Sequence, residues 1–344
     1  MRGVVTQNGQ MAWTEIAEPA LGEGQVRVKT LTCGICGTDL HARGHVHDFL
    51  EGLKRSGTPL ATDGDKAIVF GHEFYGEIVE HGPGASNRFK PGTRVVGLPF
   101  LTSPRGAEYV GYSDAYPGGF AEQMVLTEKL LFEVPNGLSS IAAALTEPFA
   151  VGAHAVARAR IPEKAVCLIV GCGPIGLSVI AALKARGIGP VIAMDFSAGR
   201  RRFAEAMGAD EVIDAACETQ TEVWARWRGA AKGARPVAFE CVGRPGVADQ
   251  VVRESPRHAL VVVVGNALEA CTIDQVVAFN KELDICFTMN YAPGEFRQAL
   301  EDLAEGRIRT DDIVTAVVAP QDTPQAFDDL KDPEQHAKIV VQFD

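Results

Sequence analysis

From about residue 164 the apolar positions gather into short continuous runs separated by helix-length segments. Val166 to Val170, Val191 to Met194, Val237 to Glu240, Leu260 to Val264 and Leu283 to Phe287 are such runs. Strands buried on both faces carry this pattern, because neither face alternates toward water. Between them, Pro174 to Arg186 is apolar and of helical length, and Arg200 to Met207 closes on Gly208. A glycine just past a helix takes the left-handed turn that ends it. The alternation predicts a doubly wound parallel sheet over residues 151–290.

The flanks read differently. Residues 1–150 are rich in Gly and Pro, with short β-like runs at Gln25 to Lys29, Glu77 to Glu80 and Arg94 to Gly97. They predict an irregular β-rich domain. Residues 291–344 mix helices (Pro293 to Glu305, Pro324 to Leu330) with strands (Val314 to Val318, Lys338 to Phe343). With no strand–helix repeat of their own, they are expected to return to the first domain. The fold class is α/β, a parallel-sheet domain inserted into a β-rich one.

Composition narrows the partners. A net charge of -11 argues against nucleic acid and against a polybasic membrane contact. The longest apolar run, Ala259 to Val264, is the length of a strand and not of a membrane span. The first residues resemble neither a signal nor a transit peptide, so a cytoplasmic location is expected. The eight cysteines are scattered, several within apolar runs, which does not suggest a disulfide framework.

After the first strand of the parallel sheet comes Gly171-Cys172-Gly173-Pro174-Ile175-Gly176, followed by a helix. This is G-x-G-x-x-G in its required context. The first Gly permits the turn, the second lets backbone approach a pyrophosphate, and the third lets helix pack on strand. Asp195 follows 24 residues after Gly171, at the end of the second strand. A carboxylate there accepts from ribose hydroxyls and repels a 2′-phosphate, so NAD is favoured over NADP. Arg200, Arg201 and Arg202 are the dissenting feature, since an arginine there can receive that phosphate.

Three further segments carry metal-ligand residue types: Cys33-Gly-Ile-Cys36-Gly-Thr38-Asp39-Leu-His41, Gly71-His72-Glu73, and Thr146-Glu147-Pro148. Catalytic zinc takes three Cys, His or carboxylate ligands and keeps one position open. Cys36, His72 and Glu147 fit that count. No second C-x-x-C exists to complete a four-cysteine site, so Cys33 is expected to pack and not to ligate.

With Gly118-Gly-Phe-Ala-Glu122 and Lys281-Glu-Leu283, these motifs make the chain resemble the zinc-containing medium-chain alcohol dehydrogenases, especially the polyol and threonine dehydrogenase branch. The resemblance implies a Rossmann domain inserted into a GroES-like catalytic domain. It implies zinc on Cys36, His72 and Glu147, with Glu73 able to approach the metal during ligand exchange. Thr38 would hydrogen-bond the substrate oxygen, and His41 would pass the proton to solvent through the cofactor ribose. Gly171, Gly173, Pro174, Ile175, Gly176, Asp195 and Arg200 would bind the cofactor, and Lys338 would contact its pyrophosphate. Many relatives carry a four-cysteine loop for a second zinc. Leu98 to Gly119 holds no Cys, so one zinc per chain is expected.

The expected function is hydride transfer between NAD(H) and an alcohol/carbonyl pair, a secondary alcohol and its ketone above all. A polyol, sugar or amino-acid-alcohol substrate is the alternative. Zinc-free quinone or enoyl reductases lack these ligands, and a non-catalytic nucleotide-binding protein has no need of a proton relay. Phe100, Tyr109, Tyr112 and Tyr116 either line the substrate pocket or fill the space of the missing zinc lobe. The strand near Ile285 to Asn290 would be a sheet edge, and a homodimer or homotetramer is expected from it.

Overall fold

The apolar runs become the strands that their pattern predicts. Ala165–Val170 is buried at every position and lies inside a six-stranded parallel sheet. The order across it is Glu211–Asp214, Val191–Asp195, Ala165–Val170, Arg235–Glu240, Leu260–Val263, Asp284–Phe287. Leu168, Ile192, Ala238 and Val261 are fully buried, with Trp224 and Val251 in the same core cluster. Each such aliphatic side chain contributes roughly 1.5–3 kcal/mol by leaving water. The strand order reverses beside Ala165–Val170, and ligands of open parallel sheets bind at the carboxyl ends of strands at such a switch point.

This computed structural model describes every residue except Pro59, Ala231, Leu268 and Asp344, and only the backbone of Gly229 and Ala230. The chain forms two compact units. One is Met1–Glu147 with Val314–Asp332 and Lys338–Asp344; the other is Pro148–Ile313 with Pro333–Ala337. The return to the first unit therefore comes at Val314, and the expected boundary after residue 290 is corrected. The helix Pro293–Ala304 stays with the parallel sheet and buries Phe296, Ala299, Leu300 and Leu303. An apolar stripe says that a helix packs, not against which unit. No helix among the described residues is long and apolar enough to cross a membrane.

In the first unit, Gln25–Gly34 is the hub of a seven-stranded sheet. It pairs antiparallel with Glu73–His81, Gln123–Thr127 and Lys338–Gln342. Its register with Glu73–His81 sets the site: Cys33 faces Phe74 and Gly34 faces Glu73. Cys36 and His72 thus leave the same end of two neighbouring strands.

Candidate metal centre and cofactor loop

Cys36 is the N-cap of the helix Gly37–Arg55. Its Sγ accepts from the Thr38 amide at 3.4 Å, and Asp39 Oδ2 accepts from the Cys36 amide at 3.3 Å. This reciprocal cap fixes where the thiol points. Thr38 and His41 are three residues apart and share a helix face. Thr38 is half-buried and His41 is exposed.

His72 follows Gly71, whose φ is +105°. A Cβ at Gly71 would lie 2.8 Å from the Phe120 amide nitrogen and 2.9 Å from Cys33 Sγ, so only glycine fits the approach. The ligand atoms of Cys36, His72 and Glu73 all lie within 4.8 Å of one another. It is the one such cluster found among the described residues. Glu147 stands outside it, buried in the first turn of Thr146–Ala159. Its charge is nonetheless felt at Tyr109 and at Lys338. Cys33 is fully buried, and burial first, then Asp39 and Glu73, push its thiol well up. It stays a thiol, as packing requires.

Two residues brace the cluster, and sequence reading gave neither of them that role. Asp39 is fully buried; its Oδ1 accepts from the Tyr112 hydroxyl at 2.7 Å and lies 3.2 Å from His72 Nδ1. That last contact has ion-pair distance but not hydrogen-bond geometry, and Nδ1 is otherwise without a partner. A carboxylate against one imidazole nitrogen favours the proton there and leaves the other as a lone-pair ligand. Lys338 is the second. It is 2% exposed, and its Nζ donates to both Glu73 carboxylate oxygens at 2.8 Å and to the Ile35 carbonyl at 3.0 Å. All three donors are used, so the expected pyrophosphate contact is corrected: Lys338 is the partner of Glu73.

The donor set fits a cation. Burial alone would lower the His72 imidazole, but Tyr109, Asp39 and Cys36 outweigh it and push the group well up. Burial likewise opposes the Lys338 ammonium, and Glu73, Cys36 and Glu147 hold it above its usual value. A buried pocket that draws protons onto both its bases is short of positive charge, which a divalent ion supplies. The cysteine-free stretch from Leu98 to Gly119 holds an ion network. Arg105 Nε donates to the buried Glu108 at 3.0 Å, and its Nη1 donates to Asp114 at 3.0 Å.

In the other unit, Gly171 has φ +94°, and a Cβ on Gly176 would fall 1.9 Å from the Gly171 carbonyl oxygen. The helix Pro174–Ala185 starts at Gly173 with Pro174 in its first turn and no side-chain cap. Its first amides are thus left for an anion. Asp195, buried at the end of its strand, accepts from the Cys172 amide at 2.8 Å and the Ser197 amide at 2.9 Å. Arg200 Nη1 lies 3.9 Å from the same carboxylate. Arg201 binds the Asp195 and Phe196 carbonyls and pairs with Asp214 at 2.9 Å, while Arg202 donates to the Glu334 carbonyl at 3.0 Å.

Family models match a segment in each unit. Residues 22–136 match the alcohol dehydrogenase GroES-like domain, and residues 174–305 match the zinc-binding dehydrogenase family. The chain is 33% identical over 336 residues to (R,R)-butanediol dehydrogenase of Bacillus subtilis, covering 95% of each. It is 29% identical to sorbitol dehydrogenase of the same organism, covering 90% of this chain and 87% of that one. The crystal structure of 2R,3R-butanediol dehydrogenase from Bacillus subtilis superposes with a TM-score of 0.84 at 29% identity, over 100% of this chain and 99% of that one. A thiol, an imidazole and carboxylates gathered in a GroES-like unit, joined to a Rossmann unit with its glycine loop intact, place the chain in the zinc-containing medium-chain alcohol dehydrogenase family, polyol dehydrogenase-like branch, whose members are oxidoreductases using zinc and a nicotinamide cofactor.

Proposed function

We propose that the protein oxidises a secondary alcohol to a ketone with NAD, and runs in reverse as a ketone reductase. The observation that carries this reading is the 4.8 Å grouping of Cys36, His72 and Glu73 beside Thr38. Two relatives named for a secondary diol and a polyol support the substrate class. Cys36, His72 and Glu147 hold one zinc ion in this reading. The charges balance: a thiolate and the Glu147 carboxylate neutralise a divalent ion, while Lys338 neutralises Glu73. Glu73, tied at both oxygens, is held back as the acid that can approach the ion.

When bound, zinc supplies a Lewis acid for the alcohol oxygen and the nicotinamide supplies the hydride acceptor. The chain's own groups handle the proton. Thr38 Oγ1 accepts it from the substrate hydroxyl, and His41, one turn on and exposed, passes it toward water. Asp39 holds the His72 ring in place. The test is an assay of NADH formation with NAD and a panel of primary, secondary and polyhydroxy alcohols. Turnover of secondary alcohols is expected; none with any of them contradicts the reading.

Gly171, Gly173, Pro174, Ile175 and Gly176 take the pyrophosphate in this reading, with Arg200 flanking the ribose. The cofactor preference rests on Asp195. Two backbone amides hold its carboxylate rigidly where a ribose would sit, and Arg201 and Arg202 are spent on the protein. Asp195→Ala should weaken NAD by about ten- to a hundredfold, the scale of losing charged hydrogen bonds, and should narrow the gap to NADP. Titration of both cofactors checks this. A wild type that already prefers NADP contradicts it.

We also read the Asp284–Phe287 edge as a self-association surface, giving a homodimer or homotetramer. It is the last strand of its sheet, and Phe287 is 62% exposed. Phe279 (78%), Val276 (69%) and Met289 (61%) are exposed in the adjoining segments. Such a rim is costly in water and gains by pairing. Light scattering should give a multiple of the chain mass; a monomer at micromolar concentration contradicts this.

A further inference from the structure

The hairpin of Phe100–Ser103 and Gly106–Tyr109 ends on Tyr109. Just before it, fully buried Glu108 is anchored by the hydroxyls of Ser103 and Ser113 and by Arg105. The Tyr109 ring is held by other rings. It stacks on Phe100 (centroids 4.7 Å apart, planes at 13°) and packs at 5.1 Å on Tyr112 and 5.8 Å on His72. Tyr112 is itself fixed to Asp39. The Tyr109 hydroxyl stands apart from those of Tyr75 and Tyr112: among the described residues it has no hydrogen-bond partner, while Arg94 donates to Tyr75 and Tyr112 donates to Asp39. It lies within electrostatic reach of His72, Glu147 and Cys36. A half-buried donor held rigidly and without a protein acceptor is open to a ligand oxygen.

We propose that Tyr109 is a specificity-determining residue, its hydroxyl donating to a second substrate oxygen beside the one that reacts. This rests on the alcohol dehydrogenase reading above. Thr38 is assigned to the reacting oxygen, so a second donor in the cluster has a different acceptor. A site built to hydrogen-bond a hydroxyl discriminates against the analogue that lacks it. Tyr109 is therefore the reason a vicinal diol outcompetes the matching mono-alcohol.

The test compares wild type with Tyr109→Phe on butane-2,3-diol and butan-2-ol, as kcat/KM in the zinc-loaded enzyme. Dissociation constants of both alcohols are measured in parallel with NADH present, where no turnover occurs. Zinc content, NADH affinity and melting temperature should match wild type. Wild type should prefer the diol, and Tyr109→Phe should lose about five- to tenfold on the diol while butan-2-ol changes less than about twofold, the scale of one neutral hydrogen bond. Equal loss on both alcohols, retained discrimination in the variant, or no discrimination in wild type each overturns the proposal. If wild type turns over neither alcohol, the dehydrogenase reading fails, and the binding arm decides the role of Tyr109 by the same criteria.

Discussion

Cys36→Ser is expected to strip the metal and stop turnover while leaving NADH binding intact. A serine hydroxyl at this cap stays protonated near neutral pH and is a poor zinc ligand, whereas a thiolate is a strong one. With the Lewis acid gone, kcat/KM should fall by roughly a thousandfold or more, about 4 kcal/mol of barrier. The glycine loop lies in the other compact unit, so cofactor affinity should change little. Metal analysis, NADH titration and steady-state kinetics on one preparation read all three. Full activity in the variant, or metal retained at one per chain, contradicts the assignment. A parallel loss of NADH binding would point instead to a fold that had come apart.

The second large effect is expected at Lys338. Its ammonium is the cation bonded to Glu73, and both side chains are almost wholly buried. Lys338→Met leaves a carboxylate buried without its partner, which costs about 3–5 kcal/mol. For a chain of this size that is a fall of roughly 10 °C in melting temperature. Adding Glu73→Gln should recover much of the loss, because the uncompensated charge goes with it. The pH sign follows from the direction of the lysine shift. A group whose folded value is raised contributes fully below its ordinary value and loses that contribution as pH climbs past it. The difference between wild type and Lys338→Met should therefore be complete at neutral pH and shrink at strongly alkaline pH. A loss under about 1 kcal/mol, or no rescue in the double variant, contradicts the account.

Legibility in the sequence followed the range of the interactions. The parallel sheet was readable because each strand is a local apolar run and each turn has local chemistry; Gly171, Gly173 and Gly176 are six residues of context. The helix Gly37–Arg55 was not, since it is mostly polar and kinks at His45, where φ is -138°. Its start is fixed by the reciprocal cap of Cys36 and Asp39, which the structure reveals. The pairing of Lys338 with Glu73 spans 265 residues and depends on the register of three strands, which no local pattern specifies. For the same reason Glu73, not Glu147, is the acid grouped with Cys36 and His72.

The most direct measurement is anomalous diffraction from crystals of the zinc-loaded protein, recorded above and below the zinc absorption edge. One strong peak per chain is expected, touching Cys36 Sγ and a nitrogen of His72, with Glu147 as the third ligand and Glu73 still on Lys338. No peak between Cys36 and His72, or a second ion held elsewhere in the chain, would contradict the single-metal centre on which the proposed chemistry stands.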